Sequence, residues 1–438
     1  FYPVILLIIA ILYLSTLGVP SWMLQELQNR ILMRDFVVDA EAAKVDVLRG
    51  LVLEDVKLYR KRVVGPAAVQ AGRIVLEPNV FNFRKPEHWI RKVAVRDGVF
   101  LPDMFWAQDT APGTGAGTPR RLDVELENCR LYGVEIKKLS MVLETGGVGF
   151  RCDDMAGVLR NENLEGSFSG TLEYDAGRQL CRGHVETLLN LHLLIPVLEA
   201  WDMPYTAELI GRFDFGDAPP RCRADFRKTF DDAGEFHMAA DVSLENVAYR
   251  GVEVMTADGG VNIALTPTNS IVTVGPLTIT RRDGIVKGSL TVDAQAEVVH
   301  FDGESTIDPK ALTRMIGILG NGAMDPWRFE GPVSMTARGY SSYRSYSNVA
   351  FEASFEGRNV GIGPFLAQDC AFTMEMEGAT GTVSDIRGRI YGGEFDGRVA
   401  FEMPPWDSTN DIACAVELRV ADASLEKVMK SLTNEKRE

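Results

Sequence analysis

The side chains best suited to acid–base or metal chemistry near neutral pH are five histidines, His88, His184, His192, His237 and His300. None stands in the HExxH or HxH spacing that brings two imidazoles to one metal ion. Six cysteines follow: Cys129, Cys152, Cys181, Cys222, Cys370 and Cys414. No two are close enough for the CxxC pairing of a zinc or redox site. Most lie among apolar neighbours and read as buried thiols. Gly166-Ser167-Phe168-Ser169-Gly170 carries phenylalanine where a nucleophile elbow needs serine, so it reads as a strand turn. No GxxxxGK run is present to cradle a phosphate. The acidic pairs Asp153-Asp154 and Asp231-Asp232 sit in turn-like surroundings and read as solvated loops. The sequence therefore predicts no catalytic residue, no metal and no cofactor. The enzymatic alternative, a β-helix acting on carbohydrate, needs rungs of roughly 20–30 residues, far shorter than the repeat described below.

The elements that would position any other function begin with a segment free of charge from Phe1 to Gln25. At 1.5 Å per residue, about 20 apolar residues cross a ~30 Å hydrocarbon core, so residues 1–25 are expected to form an uncleaved transmembrane anchor. Tyr13 and Trp22 suit its interfaces, and Met23 to Arg34 has the spacing of a juxtamembrane helix. The chain opens on Phe1, not Met, so further residues upstream are expected.

Beyond the anchor, alternation with period two dominates. Leu122, Val124 and Leu126 oppose Asp123, Glu125 and Glu127. The same pattern puts Phe351 with Phe355, Phe372 with Met374 and Met376, Phe395 with Val399 and Phe401, and Val416 with Leu418. Each run reads as a strand with one buried and one solvated face. Asp97-Gly98, Asp258-Gly259 and Asp283-Gly284 read as hairpin turns. A Gly/Pro/Thr stretch over residues 110–119 reads as a linker.

Internal similarity organises the rest. The phrase Leu126-Glu127-Asn128-Cys129 recurs as Leu244-Glu245-Asn246-Val247, an offset of 118, and Gly170-Thr171-Leu172 recurs as Gly288-Ser289-Leu290 at the same offset. A weaker third copy carries Asn359-Val360. Each copy ends in a short helical pattern, opened by Asn190, by Asp308 with Pro309, and by Asp422. The expected organisation is an N-terminal β portion with the juxtamembrane helix over 26–109, then modules over 120–235, 236–345 and 346–438. Counting alternating runs from Phe36 to Val420 predicts on the order of twenty strands, about 100 Å of sheet at 4.8 Å spacing.

With 438 residues, more than one core or a repeat array is expected. A net charge of −15 disfavours nucleic acid, whose phosphates call for clustered Lys and Arg.

The anchor, Gly50-Leu51-Val52-Leu53-Glu54-Asp55-Val56-Lys57-Leu58, Ala71-Gly72-Arg73-Ile74-Val75-Leu76, Gly388-Arg389-Ile390-Tyr391-Gly392-Gly393-Glu394-Phe395-Asp396-Gly397 and Asp422-Ala423-Ser424-Leu425 together resemble the AsmA-like family of bacterial envelope proteins. The resemblance implies an all-β, mainly antiparallel fold: a long twisted sheet curled into a groove, built from repeated strand modules that each end in a short helix. It further implies a single inner-membrane span, a periplasmic body, and phospholipid or another acyl-chain lipid as ligand in outer-membrane biogenesis. The thirteen apolar residues named above from Leu122 to Leu418 would then line the groove. A non-enzymatic scaffold for envelope protein partners is the alternative.

Overall fold

A computed structural model describes residues 18–20, 36–46, 49–60, 65–79, 89–101, 117–147, 149–161, 163–200, 204–230, 234–316, 324–342, 345, 348–403 and 412–434. The expected anchor over 1–25, apart from residues 18–20, and the helix expected over 23–34 lie outside the described residues. So do His88 and Asp231-Asp232. Among the described residues no helix is long and apolar enough to cross a membrane. The chain forms two compact units, Phe1–Gly211 with Pro219–Asp232, and Arg212–Ala218 with Ala233–Glu438.

The first unit is a sheet in which nearly every strand pairs with its successor in sequence. Its strands are β1 (Phe36–Asp46), β2 (Gly50–Arg60), β3 (Val69–Pro78), β4 (Ile90–Phe100), β5 (Gly117–Leu131), β6 (Val134–Gly147), β7 (Gly149–Asn161), β8 (Leu164–Asp175) and β9 (Leu180–Leu188). A 3₁₀ turn (Leu191–Leu194), α1 (Ile195–Ala200) and α2 (Pro204–Gly211) follow. The short β10 (Phe213–Asp214) belongs to the second unit, and β11 (Arg221–Thr229) closes the first by pairing with β9. All these ladders are antiparallel except β4–β5, which is parallel. β5 already begins at Gly117, so the expected linker ends three residues earlier than its composition suggests.

The second unit continues with β12 (Phe236–Tyr249), β13 (Val252–Leu265), β14 (Ser270–Arg281), β15 (Gly284–Asp293), β16 (Val298–Ser305), α3 (Pro309–Ile316), β17 (Trp327–Phe329) and β18 (Val333–Ser342). It ends with β19 (Val349–Ile362), β20 (Phe365–Glu377), β21 (Thr380–Ile390), β22 (Gly393–Glu402), β23 (Ala413–Ala421) and α4 (Leu425–Asn434). Here the ladder runs β10–β12–β13–β14–β15–β16–β18–β19–β20–β21–β22–β23, antiparallel throughout, with β17 also on β19. Such pairing is not the parallel stacking of β-helix rungs, which removes the fold behind the carbohydrate-enzyme alternative.

The repeat is structural as well as textual. β6 and β13 begin and end 118 residues apart, and β12 and β19 begin and end 113 apart. Its signature phrase has a backbone cause. Asn128, Asn246 and Asn359 all adopt left-handed φ values, 53°, 52° and 50°, as do Asp55 at 47° and Asp97 at 53°. Asn and Asp tolerate this region because their short polar side chains bond locally. One left-handed residue shifts the alternation by one position. The buried residues on either side then stand three apart instead of two: Leu53 and Val56, Leu126 and Cys129.

Two of the expected hairpins are corrected, the first by the same left-handed device and the second at a register shift between Gly259 and Val261. Asp97-Gly98 lies inside β4 and Asp258-Gly259 inside β13, whereas Asp283 does sit between β14 and β15. Asp153-Asp154 is likewise within β7, not in a loop, with Asp154 left-handed at φ 51°. Gly166 to Gly170 runs inside β8 instead of turning. Tight turns occur where two consecutive residues have positive φ, at Tyr132-Gly133, Arg250-Gly251 and Tyr391-Gly392.

The helices begin much as their caps predict. The Asn190 side chain accepts from the His192 N–H at 3.0 Å, and Asp308 accepts from the Lys310 N–H at 2.8 Å. In the third copy the cap moves: Asp422 is left-handed at φ 56°, and the Ser424 hydroxyl accepts from the Lys427 N–H at 3.5 Å.

Candidate functional site: the apolar sheet faces

Residues directly opposite each other on a ladder share a face, so the register shows which side chains lie together. In the second unit Met335 faces Phe355, Phe355 faces Phe372, Ala353 faces Met374, and Phe351 faces Met376. Met374 then faces Val383, Val383 faces Val399, and Val399 faces Val416. Phe401 faces Gly381, Phe395 faces Gly388, and Leu418 faces Gly397. All ten lining residues predicted between Phe351 and Leu418 therefore lie on one face. The face runs on through Phe301, Leu290, Val274 and Val261 to Ala240 and Met238.

In the first unit Leu122, Val124 and Leu126 face Leu143, Met141 and Leu139. On the other side, Val124 and Leu126 stand beside Val93 and Val95, which face Leu76 and Ile74. Period-two reading missed most of these neighbours. Its signal was present in each strand, but the left-handed residues and bulges break it into runs too short to count.

The opposite face is charged. Lys92 reaches Glu125 at 2.8 Å, Arg96 reaches Glu127 at 2.7 Å, Arg182 reaches Glu173 at 2.9 Å, and Arg338 reaches Asp302 at 3.0 Å. His184 bonds Asp225 at 2.8 Å, and that bond raises the imidazole pKa above its ordinary value. These exposed pairs fix register more than they add stability.

Burial separates two kinds of apolar face. Leu53, Val56, Ile74, Leu76, Val95, Leu126 and Leu139 form one buried cluster in the first unit. In the second unit one buried cluster joins Val333, Phe355 and Val360, with Trp327, Phe329, Met335, Cys370 and Phe372 packed against it, and Val247, Val252, Val254 and Ile307 are buried as well. Phe351, Met374, Phe395, Val399 and Phe401 are only half-buried, and Val416 and Leu418 are 61% and 58% exposed. The inner layer of a two-sheet sandwich would be buried throughout.

Several rings on these faces lie over glycines of the neighbouring strand. A Cβ added to Gly157 would come within 2.6 Å of the Phe168 ring, and one on Gly381 within 2.1 Å of Phe401. Gly183 stands in the same relation to Phe226, and Gly388 to Phe395. A flat ring over glycine shields the bare backbone and leaves a smooth, low apolar surface. No single-strand pattern reveals such pairs, because they depend on register.

The cysteines add no chemistry of their own. None is disulfide-bonded; Cys129 and Cys152 are buried, and burial raises the pKa of both thiols and of Cys181 and Cys370. Cys414 is exposed. Among the described residues no group of His, Cys, Asp and Glu could hold a metal ion. What the arrangement offers is apolar area, half open, with most of the charge on the reverse side. In comparison with known proteins, no family model matches the chain, and no curated protein matches it.

Proposed function

We propose that this chain is an AsmA-like envelope protein that binds acyl chains of phospholipid, or of a similar lipid, along an apolar β groove. The observation that carries this reading is the second unit's apolar face, which crosses the ladder from β12 to β23 and stays half-buried across most of it. In this reading each sheet curls about its apolar face, and lipid supplies the cover that a second protein layer would otherwise provide. Covering such a face with acyl chains stabilises by roughly 25 cal/mol per Å² of apolar area removed from water. The uncharged segment from Phe1 to Gln25 would hold the protein in the bacterial inner membrane, with the body in the periplasm and lipid passing toward the outer membrane. The role is binding and transfer, not catalysis.

Solvent extraction of the purified full chain followed by mass spectrometry tests this directly. Stoichiometric phospholipid is expected, lost in Met374→Asp and Val399→Asp and retained in Glu375→Gln, with circular dichroism unchanged in all three. A folded chain that carries no lipid, or equal lipid in all three variants, overturns the proposal.

A further inference from the structure

Part of the second unit's apolar face, on β13 to β16, is bounded differently at its two ends. The row Ile263, Val272, Val292 and Val299 crosses the four strands near one end, and the row Ala257, Ile279, Val286 and Ser305 crosses them near the other. The span from Ala257 to Ile263 is about 20 Å at ~3.4 Å per residue. On this face, from one row to the other, Ser305 has the only polar side chain, and every residue but Ser305 is half-buried.

Beyond the second row the face is filled. Val252 and Val254 are 4% exposed and Ile307 is 0% exposed. There α3 follows β16 and yet approaches β13, so it stands across the ends of all four strands. Its start is pinned. The Asp308 N–H donates to the Asp283 carboxylate at 2.9 Å, and Arg281 Nε donates to the same carboxylate at 2.8 Å. The Arg281 guanidinium also donates to the Glu253 carbonyl on β13 at 2.7 Å. Leu312 and Met315 of α3 are half-buried. Beyond the first row, among the described residues, stand only two short polar turns. The Asn269 side chain accepts from the Ser270 and Gln295 N–H groups at 2.7 and 3.1 Å. Asp293 accepts from the Gln295 and Ala296 N–H groups at 3.1 and 2.9 Å. Thr266, Pro267 and Thr268 are exposed.

An apolar bay closed at one end and wet at the other suits an amphiphile, with its chains inside and its polar end out. The length suits it too. One leaflet of bilayer hydrocarbon is about 15 Å deep, half of the ~30 Å core, so a membrane acyl chain fits between the turns and α3. Three ladder spacings give the bay a width of about 14 Å, room for chains side by side.

We infer that β13 to β16 form a blind bay in which a lipid lies along the strands, its acyl methyl ends against α3 and its headgroup at the turns that join β13 to β14 and β15 to β16. α3 is then a stop that sets which chain lengths fit. This rests on the lipid reading above and adds direction and length to it.

Photo-labelling of the full chain in detergent tests the direction. The probe is a phosphatidylethanolamine with a diazirine either beside the terminal methyl or beside the ester of one acyl chain. Peptide mass spectrometry should place the methyl-end label on Leu312 or Met315, and the ester-end label on Ile263 or Val292. Both labels on the same peptides, or the reverse placement, overturns the inference while leaving lipid binding intact. No label from either probe, with no lipid extracted from the chain, overturns the lipid reading and the bay with it. Leu312→Ala and Met315→Ala recess the stop, so the acyl chains that co-purify should shift to longer lengths. Arg314→Ala, at an exposed position, should not shift them. Unchanged chain lengths in both α3 variants, with lipid still bound, overturn the role of α3 as a stop.

Discussion

The strands β1 to β6 and the strands β19 to β23 share the same kind of sequence yet treat their apolar faces differently. In the first group Leu53 and Val56 are 3% and 1% exposed, and even Val52 and Val75, on the reverse face, are buried. In the second group most of the apolar face is half-buried, and the last strand is open on both sides. The difference teaches that period-two alternation specifies a strand and its sidedness but not what covers it. Cover at β2 and β3 makes that region a core; at β20 to β23 the same pattern leaves a surface.

The largest expected effect separates the two directly. Leu53→Ala should destabilise the first unit by about 2–5 kcal/mol, because truncation leaves a cavity in a filled core. Val399→Ala, on a half-exposed site, should cost less than about 1 kcal/mol, because less apolar area returns to water. Denaturant melts compare them; equal losses would mean that the second face is as filled as the first. Next comes the left-handed hinge common to both regions. Asn246→Val should cost about 1–2 kcal/mol, since a β-branched side chain crowds its own carbonyl at φ 52°, while Asn246→Gly should be nearly neutral. If both variants melt alike, the left-handed turn is not what sets the phase of β12. The smallest effect lies on the charged face. The Asp225 bond raises the folded pKa of His184. Its stabilisation is therefore complete below the ordinary histidine value near 6.5 and is lost as pH rises through the higher folded value. Because both groups are exposed, the loss should stay within about 1 kcal/mol, and Asp225→Asn should flatten it. Stability curves between pH 5 and 9 measure this.

Strand identity and the common face of these apolar residues were legible because a sheet side chain has only two directions to take, and a run such as Phe372, Met374, Met376 records one of them. The repeat was legible as text, yet its cause was not: Leu126-Glu127-Asn128-Cys129 looks like lost alternation until the φ of Asn128 shows that the phase was reset on purpose of packing. Asp97-Gly98 misled for a related reason, whereas Asp258-Gly259 marks a register shift inside β13. Residues that tolerate positive φ mark bends inside strands as readily as turns between them. The caps at Asn190 and Asp308 could be read because each precedes its helix directly. Asp422 could not, since the left-handed residue takes that place and hands the cap to Ser424. The Phe-over-Gly pairs needed register, which no single strand encodes.

Neighbour-only pairing also bears on how the chain reaches its folded state. From β5 to β9 and from β12 to β16, every strand finds its partner in the segment just before it. Short loops close at little entropic cost, and a low contact order makes for fast folding. Such a sheet can zip up hairpin by hairpin as the polypeptide emerges, each new strand capping the edge left by the last. The junctions of β4 with β5, of β9 with β11 and of β16 with β18 are the steps that must wait for a longer connection to close.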